Sequence, residues 1–305
     1  GNEIEPNYFL PVIPTVIVNG SSGIAVGFAT NIMNRQPKKV VDACLKVLDG
    51  KKVPELQPWI NEFTGDIVRD PENSKRWIMK GRYEIVNTST VRITELPPGI
   101  TYESYEKHLN KLVEDRKISS YDDNCKNNID YVLKFRREDL SSYLEKDTLG
   151  KILKIEQSDT ENYTTLDENG NLKLFDSVEE IVTYFVNFRL KYYDVRKKYL
   201  IDKLERELLI LDNRANFING ILKGTIIVNK VAKAKIEETL DKQKFDRLDG
   251  DYDYLLRMPI HSLTKERYES LLDELKQKKV ELAEMKKRLP ADMYKQDLKD
   301  LQSVT

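Results

Sequence analysis

Residues 19–31 of this 305-residue chain read NGSSGIAVGFATN, with Gly20, Gly23 and Gly27 inside eight positions. Glycine at that density permits a tight backbone path whose amides can approach phosphate oxygens. The spacing is not that of a P-loop, because no Gly-Lys-Ser/Thr follows, and it is not GxGxxG. On composition alone the segment reads as a buried turn and strand. The functional alternative sets Ser21 and Ser22 against a phosphate backbone while Ile24 projects as an apolar wedge. Arg35, Lys38 and Lys39 follow closely, and Lys51-Lys52 extend a modest basic cluster. A solvated face is the ordinary role for such a cluster. Its position beside the glycine-rich segment opens a DNA-binding role.

Other chemistry is sparse. Asp122-Asp123 and Asp249-Gly250-Asp251 lack the ligand spacing of a calcium loop and are expected to solvate loops. His108 lies in YESYEKHLNKLVE, a helical segment where packing or surface is its expected role, and His261 is expected to be structural. Two cysteines, Cys44 and Cys125, cannot make a disulfide framework, and no Cys/His cluster has zinc spacing. The reading is therefore of no complete catalytic set, no metal site and a reducing, cytoplasmic setting.

Charge and hydropathy narrow the class further. Fifty Lys+Arg against 51 Asp+Glu give a formal net charge of -1, which excludes a uniformly basic nucleic-acid coat and leaves only a local patch. The longest mostly apolar stretch, residues 15–33, is interrupted by Asn19, Gly20, Ser21, Ser22 and Gly23, so no membrane span is expected. No charged-then-apolar leader follows Gly1, and the missing initiator Met suggests a piece of a longer protein.

The elements that must position these residues fall into two textures. Residues 1–175 mix short alternating runs with Gly and Pro: 76–86 and 90–96 read as strands, the latter ended by Pro97-Pro98-Gly99, and 40–48 as a helix. At Asp176 the texture changes. Ser177 and Glu180 form a capping box, and apolar residues recur at Ile181, Phe185, Phe188, Tyr192, Val195 and Tyr199, then at Leu204, Leu208, Leu211, Ala215 and Ile218. With no Gly or Pro over 178–218, one helix of roughly 40 residues and about 60 Å is predicted. From Thr264 a second run, Leu271, Leu275, Lys278, Leu282, Met285 and Leu289, steps at heptad spacing until Pro290.

The reading is an α+β protein: a mixed domain over 1–175, antiparallel coiled-coil arms at 176–218 and 264–290, a small helical head at 219–263 and a return segment at 291–305. A head that small buries little surface alone, and self-association is the usual remedy. Leu255, Leu256, Met258 and Ile260 are the candidate contacts of such a dimer.

Several stretches resemble the type IIA DNA topoisomerases. EPNYFLPVIPTVIVNGSSGIAVGFATN (5–31) is similar to the segment downstream of their catalytic tyrosine, and LQPWINEFTGDI (56–67) and VRITELPPGITYESY (91–105) are similar to their tower domain. LDENGNLKLFDSVEEIVTYFVNFRLKYYDVRKKYLIDKLE (166–205) resembles the start of their coiled coil, and DYDYLLRMPIHSLTKERYESL (251–271) and RLPADMYKQDL (288–298) the exit gate and return helix. The forms ELPPG and LLRMP are closer to eukaryotic, viral and large tailed-phage enzymes, the last with a medium subunit of this type, than to gyrase, although SSGIAVG is gyrase-like.

The resemblance implies an ATP-dependent enzyme that passes one duplex through a transient double-strand break in another. It implies that Ile24 intercalates to bend the DNA, that Ser21, Ser22, Arg35, Lys38 and Lys39 lie near phosphates, and that the head is a dimeric exit gate. It also implies a nucleophilic tyrosine upstream of Gly1, since Arg82-Tyr83 and Arg267-Tyr268 align with a tower strand and the returning coil. ATP and Mg2+ would be held by an ATPase and a metal-binding domain or subunit outside these residues. Implied partners are double-stranded DNA, a second copy of the chain and that ATPase partner, in the cytoplasm of a bacterial host if phage-encoded. Two other classes compete: an architectural DNA-bending coiled-coil dimer without enzymatic activity, and a dimer with no DNA role.

Overall fold

In a computed structural model, residues 9–304 are described, so the first four residues of the 5–31 match lie outside the described residues. In chain order the elements are α1 (Thr15–Asn19), β1 (Ser21–Ala25), β2 (Phe28–Ile32), α2 (Pro37–Leu48), β3 (Asp66–Arg69), β4 (Arg76–Lys80), β5 (Arg82–Asn87), β6 (Thr90–Glu95) and α3 (Tyr102–Glu114). Then come β7 (Ser120–Asp123), β8 (Tyr131–Lys134), α4 (Arg137–Glu145), α5 (Leu149–Ile152), β9 (Glu156–Thr160), β10 (Thr164–Leu166) and β11 (Leu172–Leu174). The rest is helical: α6 (Val178–Leu222), α7 (Lys233–Lys242), α8 (Asp253–Leu256), a 3-10 turn (Ile260–Ser262), α9 (Lys265–Lys287) and α10 (Pro290–Gln302). This is the α+β class the sequence predicts. The chain forms two compact units, Gly1–Val186 with Leu298–Thr305, and Asn187–Asp297.

Alternating runs build the first unit from antiparallel sheets in the orders β3-β4-β9 and β5-β6-β8-β7, with β1-β2 and β10-β11 as hairpins. Residues 76–86, predicted as one strand, break at Gly81 and feed two different sheets. A Cβ at Gly81 would stand 2.3 Å from the Glu95 carbonyl oxygen, so the crossing backbones meet where only glycine fits. The inward faces of β6 and β8 (Val91, Ile93, Tyr131, Leu133) pack with Tyr105, Leu109 and Leu112 of α3. The α3 N-cap is Thr101, whose side chain accepts from the Ser104 amide. His108 sits at 2.9 Å through Nε2 from the Ile152 carbonyl, and burial lowers its pKa, so it serves packing as predicted.

The capping box forms at the start of α6: the Glu180 amide donates to Ser177 Oγ at 3.2 Å, and Glu180 Oε2 accepts from the Asp176 amide at 2.8 Å. The helix then runs 45 residues, four beyond the predicted Ile218. The first unit extends along it to Val186 because Val178, Ile181, Val182 and Val186 are all buried.

In the second unit Ala215 and Ile218 of α6 pack with Leu271 and Leu275 of α9. Lys278, the one polar residue of the α9 stripe, bonds Glu207 at 2.9 Å and Glu281 at 3.1 Å, which explains a cation at a seam position. Farther up α6 the predicted stripe is not the buried one. Val195 and Tyr199 are each 65% exposed, whereas Tyr193 is buried, stacked on Tyr294 of α10 at 4.8 Å. The aromatic partner on α10 selects a face one residue away from the heptad reading. The head has its own core of Phe217, Ile226, Ile236, Leu240, Tyr252 and Leu255.

Candidate nucleic-acid interface

The glycine-rich segment folds as an exposed hairpin, in place of the buried turn its composition suggests. Strands β1 and β2 pair from Ser21↔Ile32 to Ala25↔Phe28, leaving Val26-Gly27 as the turn. The hairpin starts at Gly20, with φ +71°. A Cβ there would lie 2.7 Å from Asn34 Oδ1 and 2.8 Å from the Ile32 carbonyl oxygen. Beyond that point the side chains leave the protein: Ile24 is 93% exposed, Val26 fully so and Phe28 half. Such a run of exposed apolar side chains on a soluble surface marks an interaction site.

The base of the hairpin is tied down at Asn31, Met33 and Arg35. Asn31 exchanges both backbone hydrogen bonds with Asn162, at 3.0 and 2.8 Å, and its Nδ2 donates to Asp159 Oδ1 and the Thr160 carbonyl. The Met33 amide donates to Glu161 Oε1 at 2.8 Å. The Arg35 amide donates to the Ile17 carbonyl at 2.7 Å, closing the loop back onto α1.

Glu161 is the centre of this anchor. Its carboxylate accepts from the Met33 amide, from Arg35 NH1 at 2.8 Å and NH2 at 2.7 Å, from Trp77 Nε1 at 2.8 Å and from the Tyr163 hydroxyl at 2.8 Å. Burial alone would raise its pKa. The hydrogen bonds and charge of Arg35, with the Met33 amide and Tyr163, outweigh burial and hold it below the usual glutamate range. The Tyr163 phenol moves the other way, pushed up by burial and by the negative Glu161 beside it.

Arg35 therefore leaves the DNA-contacting set expected from sequence. It is 1% exposed, and its remaining donors reach the Leu56 carbonyl from Nε and the Met33 carbonyl from NH1. Every donor group with room to reach out is engaged inside the protein.

The other predicted residues stay accessible. Ser22 is exposed and Ser21 half-buried on β1, and both line a groove of about 640 Å³ with Asn19, Asn31, Asn34 and Gln157. Lys38 and Lys39 are accessible on the first turn of α2, which follows Gln36 and carries no acidic residue there. Cations at the positive end of a helix dipole are unfavourable unless an anion joins them. Val26 and Phe28 were missed by the sequence reading; their alternation with Ile24 was the available signal. Glu161 was missed as well, and with Arg35 126 positions away no local pattern announces it.

In the head, Ile260 is 87% exposed, Leu256 and Met258 are half-buried, and a cavity of about 860 Å³ opens among them, Val228 and Val231. Leu255 lines the same cavity but is buried in the head's own core. His261 is exposed in the 3-10 turn. Among the described residues no three or more His, Cys, Asp or Glu side chains gather where a metal ion could be held. No described helix is long and apolar enough to cross a membrane.

A mixed sheet unit with an anchored apolar hairpin, followed by a 45-residue helix into a helical second unit, is the architecture of a DNA-cleavage core. The match is direct: residues 1–299 fit the family of DNA gyrase/topoisomerase IV A-subunits, and the chain belongs to that family. It is similar to DNA topoisomerase 2 of Arabidopsis thaliana, 32% identical over 99% of this chain and 23% of that protein. It is also similar to the DNA topoisomerase medium subunit of Enterobacteria phage T4, 30% identical over 98% of this chain and 67% of that protein. Among solved structures it resembles the topoisomerase II DNA-binding, cleavage and re-ligation domain of Plasmodium falciparum, with a TM-score of 0.80 and 30% identity over 98% of this chain and 45% of that one. The chain thus spans about a quarter of the length of the eukaryotic relatives it matches.

Proposed function

We propose that this chain is the part of a type IIA DNA topoisomerase that binds and bends the duplex to be cleaved and forms the dimeric gate through which a second duplex leaves. The observation that carries this reading is Ile24, an aliphatic side chain almost fully in water on a hairpin whose base is anchored. Inserting it between base pairs costs a few kcal/mol of stacking per step. Burying the side chain returns about 1.5–3 kcal/mol, and phosphate contacts along the bent duplex supply the rest. An aliphatic wedge needs no hydrogen bond and reads no sequence. Ser21 and Ser22 bond phosphate oxygens at the hairpin base, and Lys38 and Lys39 place charge at the start of α2.

On this reading residues 1–175 are the tower with its DNA-bending segment, 176–218 and 264–290 the coiled-coil arms, 219–263 the gate and 291–305 the return. Leu256, Met258 and Ile260, with Ile227, meet a second copy at the gate. A tyrosine from outside these residues attacks a DNA phosphate, and the 5′-phosphotyrosine keeps the bond energy for rejoining. Neither Tyr83, on an edge strand, nor Tyr268, against the α6–α9 seam, is assigned that role. The ATPase and the Mg2+-holding acidic residues are likewise supplied by another domain or subunit.

Energy transfer between dyes at the ends of a 34-base-pair duplex (about three helical turns) tests the bending. The intact chain is expected to shorten the end-to-end distance, and Ile24→Ala to lose most of that shortening while still binding. Equal bending by both would overturn the wedge.

A further inference from the structure

We propose that the cavity of the head is a socket for the Ile260 turn of a second copy, so that the gate shuts by reciprocal insertion and whatever fills the socket holds it open. This rests on the gate reading above and goes beyond it, because that reading needs only two apolar faces laid together. The socket has a volume of about 860 Å³. Its apolar walls are Phe217 of α6, Val228 and Val231 of the following loop, Ile236 of α7, and Met258 and Leu263 beyond α8. A space of that size holds a drug-sized molecule. One side chain would leave it part empty, so Ile260 enters with the turn that carries it.

Charge decides which occupant the walls accept. The ionised residues at the cavity are Lys233, Asp253 and Arg257, and Glu237 joins them through Lys233. Lys233 bonds Asp253 at 3.1 Å and Glu237 at 3.7 Å, and Arg257 bonds Asp253 at 2.6 Å. Two cations meet two carboxylates, which leaves no net charge to draw an anion. A neutral mouth suits a two-fold contact, in which each group meets the surroundings of its own copy and a net charge would repel itself.

The knob stands at the rim of the socket. Ile260 is 87% exposed, the highest value among the large apolar residues of 219–263. Its turn is held firmly. Pro259 sets φ at −63°, the Ser262 amide and hydroxyl both donate to the Pro259 carbonyl, at 2.9 and 2.7 Å, and the Leu263 amide donates to the Ile260 carbonyl at 3.0 Å. A fixed apolar projection beside an apolar hollow is self-complementary under a two-fold axis. Each copy offers one of each, and the rotation that seats one knob seats the other.

Sedimentation equilibrium of the 305-residue chain measures the dimer, and Val231→Phe probes the socket by adding a ring to its wall. A flat apolar contact would gain from the added surface. The socket predicts the reverse: a dimer dissociation constant raised at least about tenfold, with the urea midpoint unchanged. Nile red, a neutral apolar dye that brightens on leaving water, gives a second measurement on the parent chain alone. Its signal per chain should fall at least about fivefold as chain concentration rises through the dimer dissociation constant, and saturating dye should weaken the dimer, because it binds only separated copies. A parent chain that stays monomeric at every concentration overturns the gate reading and the socket together. A dimer that forms but is equally tight or tighter in Val231→Phe, or that is indifferent to the dye, overturns the socket alone.

Discussion

The hairpin of the sheet unit and the head of the helical unit both expose large aliphatic side chains, but they hold them differently. Ile24 projects from two short strands with no core of their own, and its position is fixed from below by a buried carboxylate with five donors. Ile260 sits in a 3-10 turn over a head that has its own apolar core and an open cavity beside it. The first arrangement suits a rigid wedge that must meet stacked bases in one orientation. The second suits a surface that closes on a like surface and reopens. Polar anchoring gives direction, whereas apolar layering gives an area that can be covered and uncovered.

Breaking the anchor should have the largest effect. Arg35→Ala leaves Glu161 buried without its counter-ion and is expected to cost about 3–5 kcal/mol of stability in denaturant unfolding. Replacing both partners with Met should not restore stability, because Trp77 Nε1, the Tyr163 hydroxyl and the Met33 amide would still lack an acceptor. A double variant as stable as the parent would show that the anchor is dispensable. The same contact sets an acid limit. Glu161 titrates below its unfolded value, so its stabilisation is complete above the unfolded pKa and is lost as pH falls through the lower folded one. Urea midpoints should therefore fall below about pH 4, and that part of the fall should vanish in Glu161→Gln.

The head is expected to respond in assembly and not in folding. Ile260→Asp should raise the dimer dissociation constant at least tenfold in sedimentation equilibrium and leave unfolding within about 0.5 kcal/mol, since the side chain is outside the head core. An unchanged dissociation constant would remove Ile260 from the gate. For the phosphate contacts, Lys38→Gln with Lys39→Gln should lower the slope of log affinity against log salt by about 1.8, close to two released counterions. The smallest effect belongs to the α6 cap: Ser177→Ala removes the acceptor of the Glu180 amide and should cost about 1 kcal/mol.

What could be read in advance follows the range of each interaction. The start of α6 was legible because Ser177 and Glu180 are three residues apart, and its length because no Gly or Pro intervenes over 178–218. The break at Gly81 was not, because its cause is the backbone at Glu95, and neither was the buried face at Tyr193, chosen by Tyr294 on another helix. Ile24, Ser21 and Ser22 were legible as a segment, yet composition could not tell an exposed hairpin from a buried turn. Arg35 was misread for the same reason. A basic residue near basic residues looks like surface until Glu161 is seen beneath it.

Base unstacking tests the central account most directly. A duplex with 2-aminopurine at its centre, a base whose fluorescence rises on leaving the stack, is titrated with the chain and with Ile24→Ala under conditions where both are fully bound. The account predicts a clear rise with the parent chain and little or none with Ile24→Ala. An equal rise with both would contradict it.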